Sequence, residues 1–182
     1  MPAHISGVLH AGPSPVWLPY PDAVNDLMPS LWPSNARKDD DGVLTVAGHR
    51  VTDLARTYGS PLYVLDVEDL RSRARTFVRA FETAFDQVGA SSRAYYAGKA
   101  LLTTAIARWV ADEGMGIDTC SLGELMTAKR AGVDPSAVGL HGNNKSDSEI
   151  AFALDWGIAR IVVDSPSRIV AMSFCEPRSW EL

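Results

Sequence analysis

The first part of this 182-residue chain is rich in proline and has no regular spacing of apolar residues. Five prolines lie between residues 13 and 29, and another follows Trp32. Proline lacks a backbone N–H and fixes its own φ, so this density excludes a long helix or a central strand. The pattern predicts an irregular N-terminal arm.

Short apolar runs after this arm predict strands and helices. Residues 43–46 predict a strand after an Asp-Gly turn, and residues 62–65 predict a buried strand after Pro61. A helix is predicted over Val51–Tyr58, with Thr52 as its N-cap and Gly59 at its end. Apolar residues recur every three or four positions over residues 66–84, which predicts a longer helix. Its interleaved arginines predict a solvated face: Arg71, Arg73 and Arg75.

A regular alternation of strand and helix begins near Tyr95. Strands are predicted at residues 94–97, 116–118, 138–141 and 161–164, with the first intervening helix over residues 100–113. Two S-x-x-E capping boxes and three glycines mark helix starts and ends: Ser121 with Glu124, Ser146 with Glu149, Gly114, Gly132 and Gly157. Four β-α units predict an α/β fold with a parallel sheet, either a (β/α)₈ barrel or an open doubly wound sheet.

Composition narrows the class of function. The formal net charge is −5 without a basic stripe, which argues against nucleic-acid binding. No apolar run approaches the ~20 residues of a membrane span, and the first residues do not resemble a signal peptide. We therefore expect a cytoplasmic protein with a small-molecule partner. Cys120 and Cys175 lack metal-ligand spacing and are expected to be reduced thiols, and no metal is predicted.

Polar residues recur where the predicted strands end, which is the active-site face of a parallel barrel. Lys99 follows a strand and has small or apolar neighbours, so its amine is either a desolvated nucleophile or a lysine that reaches water. Asp118 either orients a cofactor or caps the next helix. His141 is either a general acid or base or a structural residue. Asn143, Asn144 and Asp164 also lie beyond strand ends.

Four segments in this order and spacing resemble the diaminopimelate decarboxylase family. They are GSPLYVLD at residues 59–66, YYAGKA at 95–100, GIDTCSLGEL at 116–125 and HGNNKS at 141–146. The resemblance covers about residues 32–164 and extends to other barrel-type pyridoxal-phosphate decarboxylases and alanine racemase. It implies that Lys99 is the catalytic lysine that bonds to pyridoxal 5'-phosphate, with Asp118 and His141 also at the cofactor. Ser121 and Glu124 match the motif of the second strand.

The resemblance also implies an architecture and an activity. The fold would be the N-terminal half of a (β/α)₈ TIM-like barrel, preceded by a segment of a second, β-rich domain, with the barrel incomplete in this chain. The expected domains are an N-terminal arm with the β-domain segment at 1–60, a partial cofactor-binding barrel at 61–172 and a divergent tail at 173–182. The implied reaction converts meso-diaminopimelate to L-lysine and CO₂, and the intact family is expected to form homodimers.

We expect a truncated or frame-shifted product, because the family's later site residues have no match and the last ten residues do not resemble it. Three alternatives to the implied reaction remain open. The chain could then bind pyridoxal phosphate without catalysis. A complete relative could decarboxylate another basic amino acid, such as ornithine or arginine, or the chain could be a structural α/β module with Lys99 merely exposed.

Overall fold

A computed structural model describes residues 25–29 and 31–163. Most of the predicted arm, Asp164, Cys175 and the predicted tail at 173–182 lie outside the described residues. The chain forms two compact units that divide between Asp69 and Leu70, and each is described by itself. No helix among the described residues is long and apolar enough to cross a membrane.

The first unit contains a small antiparallel sheet and one helix. The strands β1 (Ala36–Lys38), β2 (Leu44–Val46) and β3 (His49–Arg50) pair in the order β1-β2-β3. Helix α1 (Val51–Tyr58) follows β3 directly. The predicted strand and helix are confirmed, and Gly59 ends α1 with a φ of 84°. Thr52 as N-cap is wrong, because the strand runs straight into the helix and leaves Arg50 at that position without a side-chain cap bond.

The prediction of a buried strand at residues 62–65 is also wrong. The structure assigns no strand there, and all four side chains are exposed, with Tyr63 at 97%. A strand needs a neighbour to pair its backbone groups. Among the described residues, no strand pairs with this segment.

The second unit is built on a parallel sheet with the order β4-β5-β6-β7. Its strands are β4 (Tyr95–Ala97), β5 (Gly116–Thr119), β6 (Val138–Leu140) and β7 (Arg160–Ile161). Its helices are α2 (Val67–Asp86, whose first residues belong to the first unit), α3 (Thr104–Asp112), α4 (Leu122–Ala131) and α5 (Asp147–Trp156). Helix α3 packs on α4, and α4 packs on α5. Sequential strands with adjacent helices are the arrangement of a barrel segment.

Successive residues of each strand point their side chains to opposite faces of this sheet. Ile117, Thr119, Val138 and Leu140 are fully buried in the core with the helices. Because successive side chains in a strand point to opposite faces, Asp118 points away from that core. It lies in one register row with Ala97, Gly139 and Arg160.

Helix boundaries follow local chemistry, and the start of α3 departs most from the prediction. Helix α3 begins four residues later than predicted, because Gly98–Ala100 forms a 3₁₀ turn and Thr103 is the N-cap that accepts from the Ile106 N–H at 3.2 Å. The predicted left-handed ends at Gly132 and Gly157 are confirmed, with φ of 79° and 74°.

The solvated arginine face predicted on α2 is wrong for Arg71 and Arg75. Arg71 Nε lies 2.6 Å from Glu113 Oε1, and Arg75 lies 3.0 Å from Glu113 Oε2. The Glu113 side chain is only 6% exposed, so its charge needs these partners. The hydrogen bond from Arg71, assisted by the charge of Arg75, lowers the pKa of Glu113 against the opposing effect of burial.

Candidate functional site at the strand ends

The carboxyl ends of β4, β5 and β6 bring together the predicted site residues. Parallel register pairs Ala97 with Asp118 and Asp118 with Gly139. Lys99 follows β4 and His141 follows β6, so both leave the sheet at the edge where Asp118 lies. The candidate residues Lys99, Asp118 and His141 therefore lie on one edge of the sheet. Asp164 lies outside the described residues.

Lys99 lies on the 3₁₀ turn Gly98–Ala100, and its side chain is exposed. Of the two alternatives for Lys99, the structure favours a lysine that reaches water, because the turn carries the residue beyond the end of the strand. Gly98 itself is buried and packs closely against β5 and α4. A Cβ on Gly98 would lie 3.1 Å from the Asp118 carbonyl oxygen and 3.2 Å from Glu124 Oε2. The absence of a side chain at Gly98 thus fixes the position of the lysine turn.

Glu124 connects the start of α4 to this turn. Its Oε2 accepts a hydrogen bond from the Cys120 backbone N–H at 2.8 Å, while the Ser121 hydroxyl accepts from the Glu124 N–H at 3.3 Å. The predicted capping box is therefore only half formed, because the carboxylate binds the N–H of Cys120 instead of that of Ser121. Sequence reasoning did not find this contact, since the S-x-x-E spacing alone predicts a local cap.

The Cys120 thiol lies beside Glu124. Its Sγ donates a hydrogen bond to Glu124 Oε1 at 3.5 Å. Burial raises the pKa of the Cys120 thiol, and the hydrogen bond to Glu124 raises it further. The Lys99 ammonium acts in the opposite direction, which places its charge within electrostatic reach of the thiol.

Asp118 and His141 form a close pair on neighbouring strands. Asp118 Oδ2 lies 2.8 Å from His141 Nδ1, and their side chains are 35% and 27% exposed. His141 Nδ1 is itself buried and has no hydrogen bond of suitable direction to any described residue. A Cβ on Gly139 would lie 3.3 Å from the Arg160 stem and at an ordinary contact distance of 3.6 Å from Asp118 Oδ1.

The loop after β6 does not present a free cation. Lys145 is 2% exposed, and its Nζ donates a hydrogen bond to the Gly142 carbonyl oxygen. Asn143 and Asn144 are exposed. Across the part of the chain that the structure describes, no cluster of His, Cys, Asp or Glu has the geometry of a metal site. A surface cavity in the first unit, lined by His49, Arg50 and Asp53 among others, involves none of the strand-end residues.

Known proteins match this part of the fold. A family model described as the pyridoxal-binding domain of pyridoxal-dependent decarboxylases matches residues 70–179. The diaminopimelate decarboxylase of Mycobacterium bovis is 43% identical over 143 residues, which are 79% of this chain and 30% of that protein. The enzyme of the same name from Corynebacterium efficiens is 37% identical over 153 residues, which are 84% of this chain and 32% of that protein.

Solved structures agree with the sequence matches. The crystal structure of diaminopimelate decarboxylase from M. jannaschii in co-complex with L-lysine matches with a TM-score of 0.71 and 30% identity, covering 77% of this chain and 32% of that one. These matches confirm the predicted α/β barrel fold, of which this chain contains a part. The chain spans about 30% of the length of the curated relatives it matches. This chain belongs to the pyridoxal-dependent decarboxylase family, whose cofactor is pyridoxal 5'-phosphate.

Proposed function

We propose that this chain holds pyridoxal 5'-phosphate at the ends of β4 to β6, with Lys99 as the residue that bonds to it covalently. The position of Lys99 carries the proposal. Lys99 is exposed at the end of a parallel strand, on a turn that packs against β5 through buried Gly98. Lysine amines in such positions can bond to a carbonyl carbon, and barrel active sites lie at this face.

The side chains at this edge fit the cofactor in their chemistry. Lys99 supplies an amine for the cofactor's aldehyde, and His141 supplies an imidazole whose Nδ1 lies 2.8 Å from the Asp118 carboxylate. Asp118 and His141 are partly exposed and would make polar contacts to the cofactor. Lys145 is unsuited to the covalent role, because its buried amine is bound to the Gly142 carbonyl. When bound, pyridoxal phosphate serves as the acceptor for the electron pair left when the α-carboxylate departs.

We assign decarboxylation of meso-diaminopimelate to L-lysine and CO₂ as the reaction of the whole enzyme. The support is the name of the relatives at 43% and 37% identity, together with a relative solved with L-lysine. A homodimer of the whole enzyme and a cytoplasmic location accompany this assignment as predictions.

A second candidate is cofactor binding without turnover. The chain spans about 30% of the length of its relatives, so cofactor binding and turnover are tested separately. A whole enzyme that acts on another basic amino acid, such as ornithine or arginine, is a variant of the first candidate. Substrate and cofactor assays on the same sample separate these possibilities.

The experiment is borohydride reduction of the purified chain with pyridoxal phosphate, followed by peptide mass mapping and a CO₂ assay on diaminopimelate, ornithine and arginine. We expect a covalent adduct on Lys99 that is lost in Lys99→Arg. The matched control is Lys38→Arg, which changes another exposed lysine and should keep the adduct. An adduct on a different lysine would contradict the role of Lys99. An adduct on Lys99 without release of CO₂ would select the second candidate.

A further inference from the structure

We infer that Asp118 is a positioning residue that acts through His141: its carboxylate holds the imidazole with the proton on Nδ1 and leaves Nε2 as the acid–base atom of the site. This inference rests on the proposed cofactor site and assigns separate tasks to two of its residues. Asp118 orients the ring, and His141 exchanges the proton.

The distance between the two groups requires a proton on Nδ1. Asp118 Oδ2 and His141 Nδ1 are 2.8 Å apart. An unprotonated Nδ1 would direct a lone pair at a carboxylate oxygen at that distance, which is repulsive. Nδ1 is buried and has no aligned partner among the described residues, so the carboxylate is the acceptor within reach. At this distance, turning the ring toward Oδ2 would align the hydrogen bond.

The backbone around the pair is held in place. The His141 N–H donates to the Thr119 carbonyl oxygen at 2.8 Å, and the Thr119 hydroxyl donates to the Gly139 carbonyl oxygen at 2.7 Å. Thr119 is fully buried. The backbones that carry Asp118 and His141 are therefore held relative to each other, so pairing the imidazole with the carboxylate costs less ordering than pairing two flexible surface side chains.

Neighbouring charges have other close contacts. Glu124, from α4, accepts from the Cys120 N–H. Arg160, from β7, places its guanidinium 4.9 Å from the centre of the Tyr95 ring, and its stem crosses Gly139. Lys99, from the end of β4, is exposed. The close contact of the Asp118 carboxylate is thus with His141, while Lys99 is the charged amine of the same edge.

Lys99 and His141 leave the sheet at the same edge, so we expect the imidazole to serve as the proton acceptor for the lysine. Lys99 must lose a proton before its nitrogen can attack a carbonyl carbon. A neutral imidazole with the proton on Nδ1 can accept that proton on Nε2, directly or through one water, and return it later. One proton leaves the ammonium and one joins the ring, and the Asp118 carboxylate offsets the positive charge that the ring gains.

The test is ¹⁵N NMR of the histidine-labelled full chain without cofactor, at about pH 8.5, where free imidazole is neutral. Loss of a signal in His141→Gln assigns His141 among the four histidines. We expect Nδ1 protonated and Nε2 unprotonated in the wild type, and loss of this preference in Asp118→Asn. Asp155→Asn, at an exposed carboxylate on α5, should leave it unchanged. Wild-type His141 with its proton on Nε2, or the same tautomer in Asp118→Asn, would overturn the inference.

A second readout separates this inference from the proposed function. The rate of cofactor attachment to Lys99 should fall at least about tenfold in Asp118→Asn and in His141→Gln. The double variant should be no slower than the slower single variant, because the two residues act as one unit. Equal attachment rates in all variants would overturn the inference while Lys99 keeps its role. No adduct in the folded wild type would reject the proposed function. The NMR result would then still decide whether Asp118 sets the tautomer of His141.

Discussion

Helices α4 and α5 start with the same S-x-x-E motif, and their glutamates have different partners. At α5, Glu149 Oε2 accepts from the Ser146 backbone N–H at 2.7 Å, and Ser146 accepts from the Glu149 N–H, which completes the capping box. At α4, the Glu124 carboxylate instead accepts from the Cys120 N–H, one residue before the N-cap. One motif thus closes a helix end, whereas the other reaches the site.

The difference arises from what lies next to each glutamate. Buried Gly98 brings the lysine turn to within 3.2 Å of Glu124 Oε2, measured from its would-be Cβ. Glu149 uses its second oxygen to accept from the Leu122 N–H of α4 at 2.9 Å. A local motif therefore predicts where a helix begins, while the long-range packing decides which backbone N–H receives the carboxylate.

Gly98→Ala is expected to have the largest effect on stability and on cofactor attachment at the α4 end of this comparison. The added methyl group would lie 3.1 Å from the Asp118 carbonyl oxygen, which belongs to a strand and cannot move easily. We expect the lysine turn to shift, with a loss of about 1–3 kcal/mol of stability and at least tenfold slower cofactor attachment to Lys99. Urea unfolding and timed borohydride trapping measure the two effects.

Gly123→Ala in α4 is the matched control for Gly98→Ala. No atom lies within 4 Å of its would-be Cβ. Alanine favours the helix by roughly 0.5–1 kcal/mol relative to glycine, so stability should stay equal or rise. Cofactor attachment should be unchanged. Equal behaviour of the two alanine variants would show that close packing at Gly98 does not fix the lysine turn.

The sequence predicts the repeating half of the fold well. Strands β4 to β6 and the ends of α4 and α5 follow from short apolar runs, serine caps and glycines, which are local signals. Residues 62–65 carry an equally apolar run, yet no strand forms there, because a strand also depends on a partner. Thr52 failed as a cap for a related reason: β3 leads directly into α1.

The sequence predicted that the candidate site residues lie together, but it did not predict their contacts. Lys99, Asp118 and His141 were singled out because they follow strand ends and match motifs of the family, and parallel register brings them to one edge. The exposure of Lys99 and the contact from Glu124 to Cys120 depend on the packing of Gly98, which has no signature in the sequence. The pairing of Arg71 with Glu113 was missed because these residues are 42 positions apart.

A smaller effect is expected from Glu149→Ala at the complete capping box. The change removes the acceptor for the Ser146 and Leu122 N–H groups and weakens two helix starts together. We expect a loss of about 1–2 kcal/mol in urea unfolding. Glu149→Gln keeps a side-chain oxygen and should lose less. At urea concentrations far below those that unfold the variant, cofactor attachment to Lys99 should keep its wild-type rate. A tenfold slower rate would show that Glu149 also serves the site.

The smallest effect is expected from Glu124→Gln, and it is measured as a change in the reactivity of the Cys120 thiol. The hydrogen bond to Glu124 and its negative charge both raise the pKa of the Cys120 thiol. Removing the charge lowers that pKa, so more thiolate is present at about pH 8 and iodoacetamide alkylates Cys120 a few times faster. The measurement uses a Cys175→Ser background. Lys99→Met should slow alkylation, because the lysine lowers the same pKa, and Glu149→Gln should leave it unchanged. If Glu124→Gln alkylates no faster than its background, the glutamate does not control the thiol, and α4 differs from α5 only in its hydrogen-bond geometry.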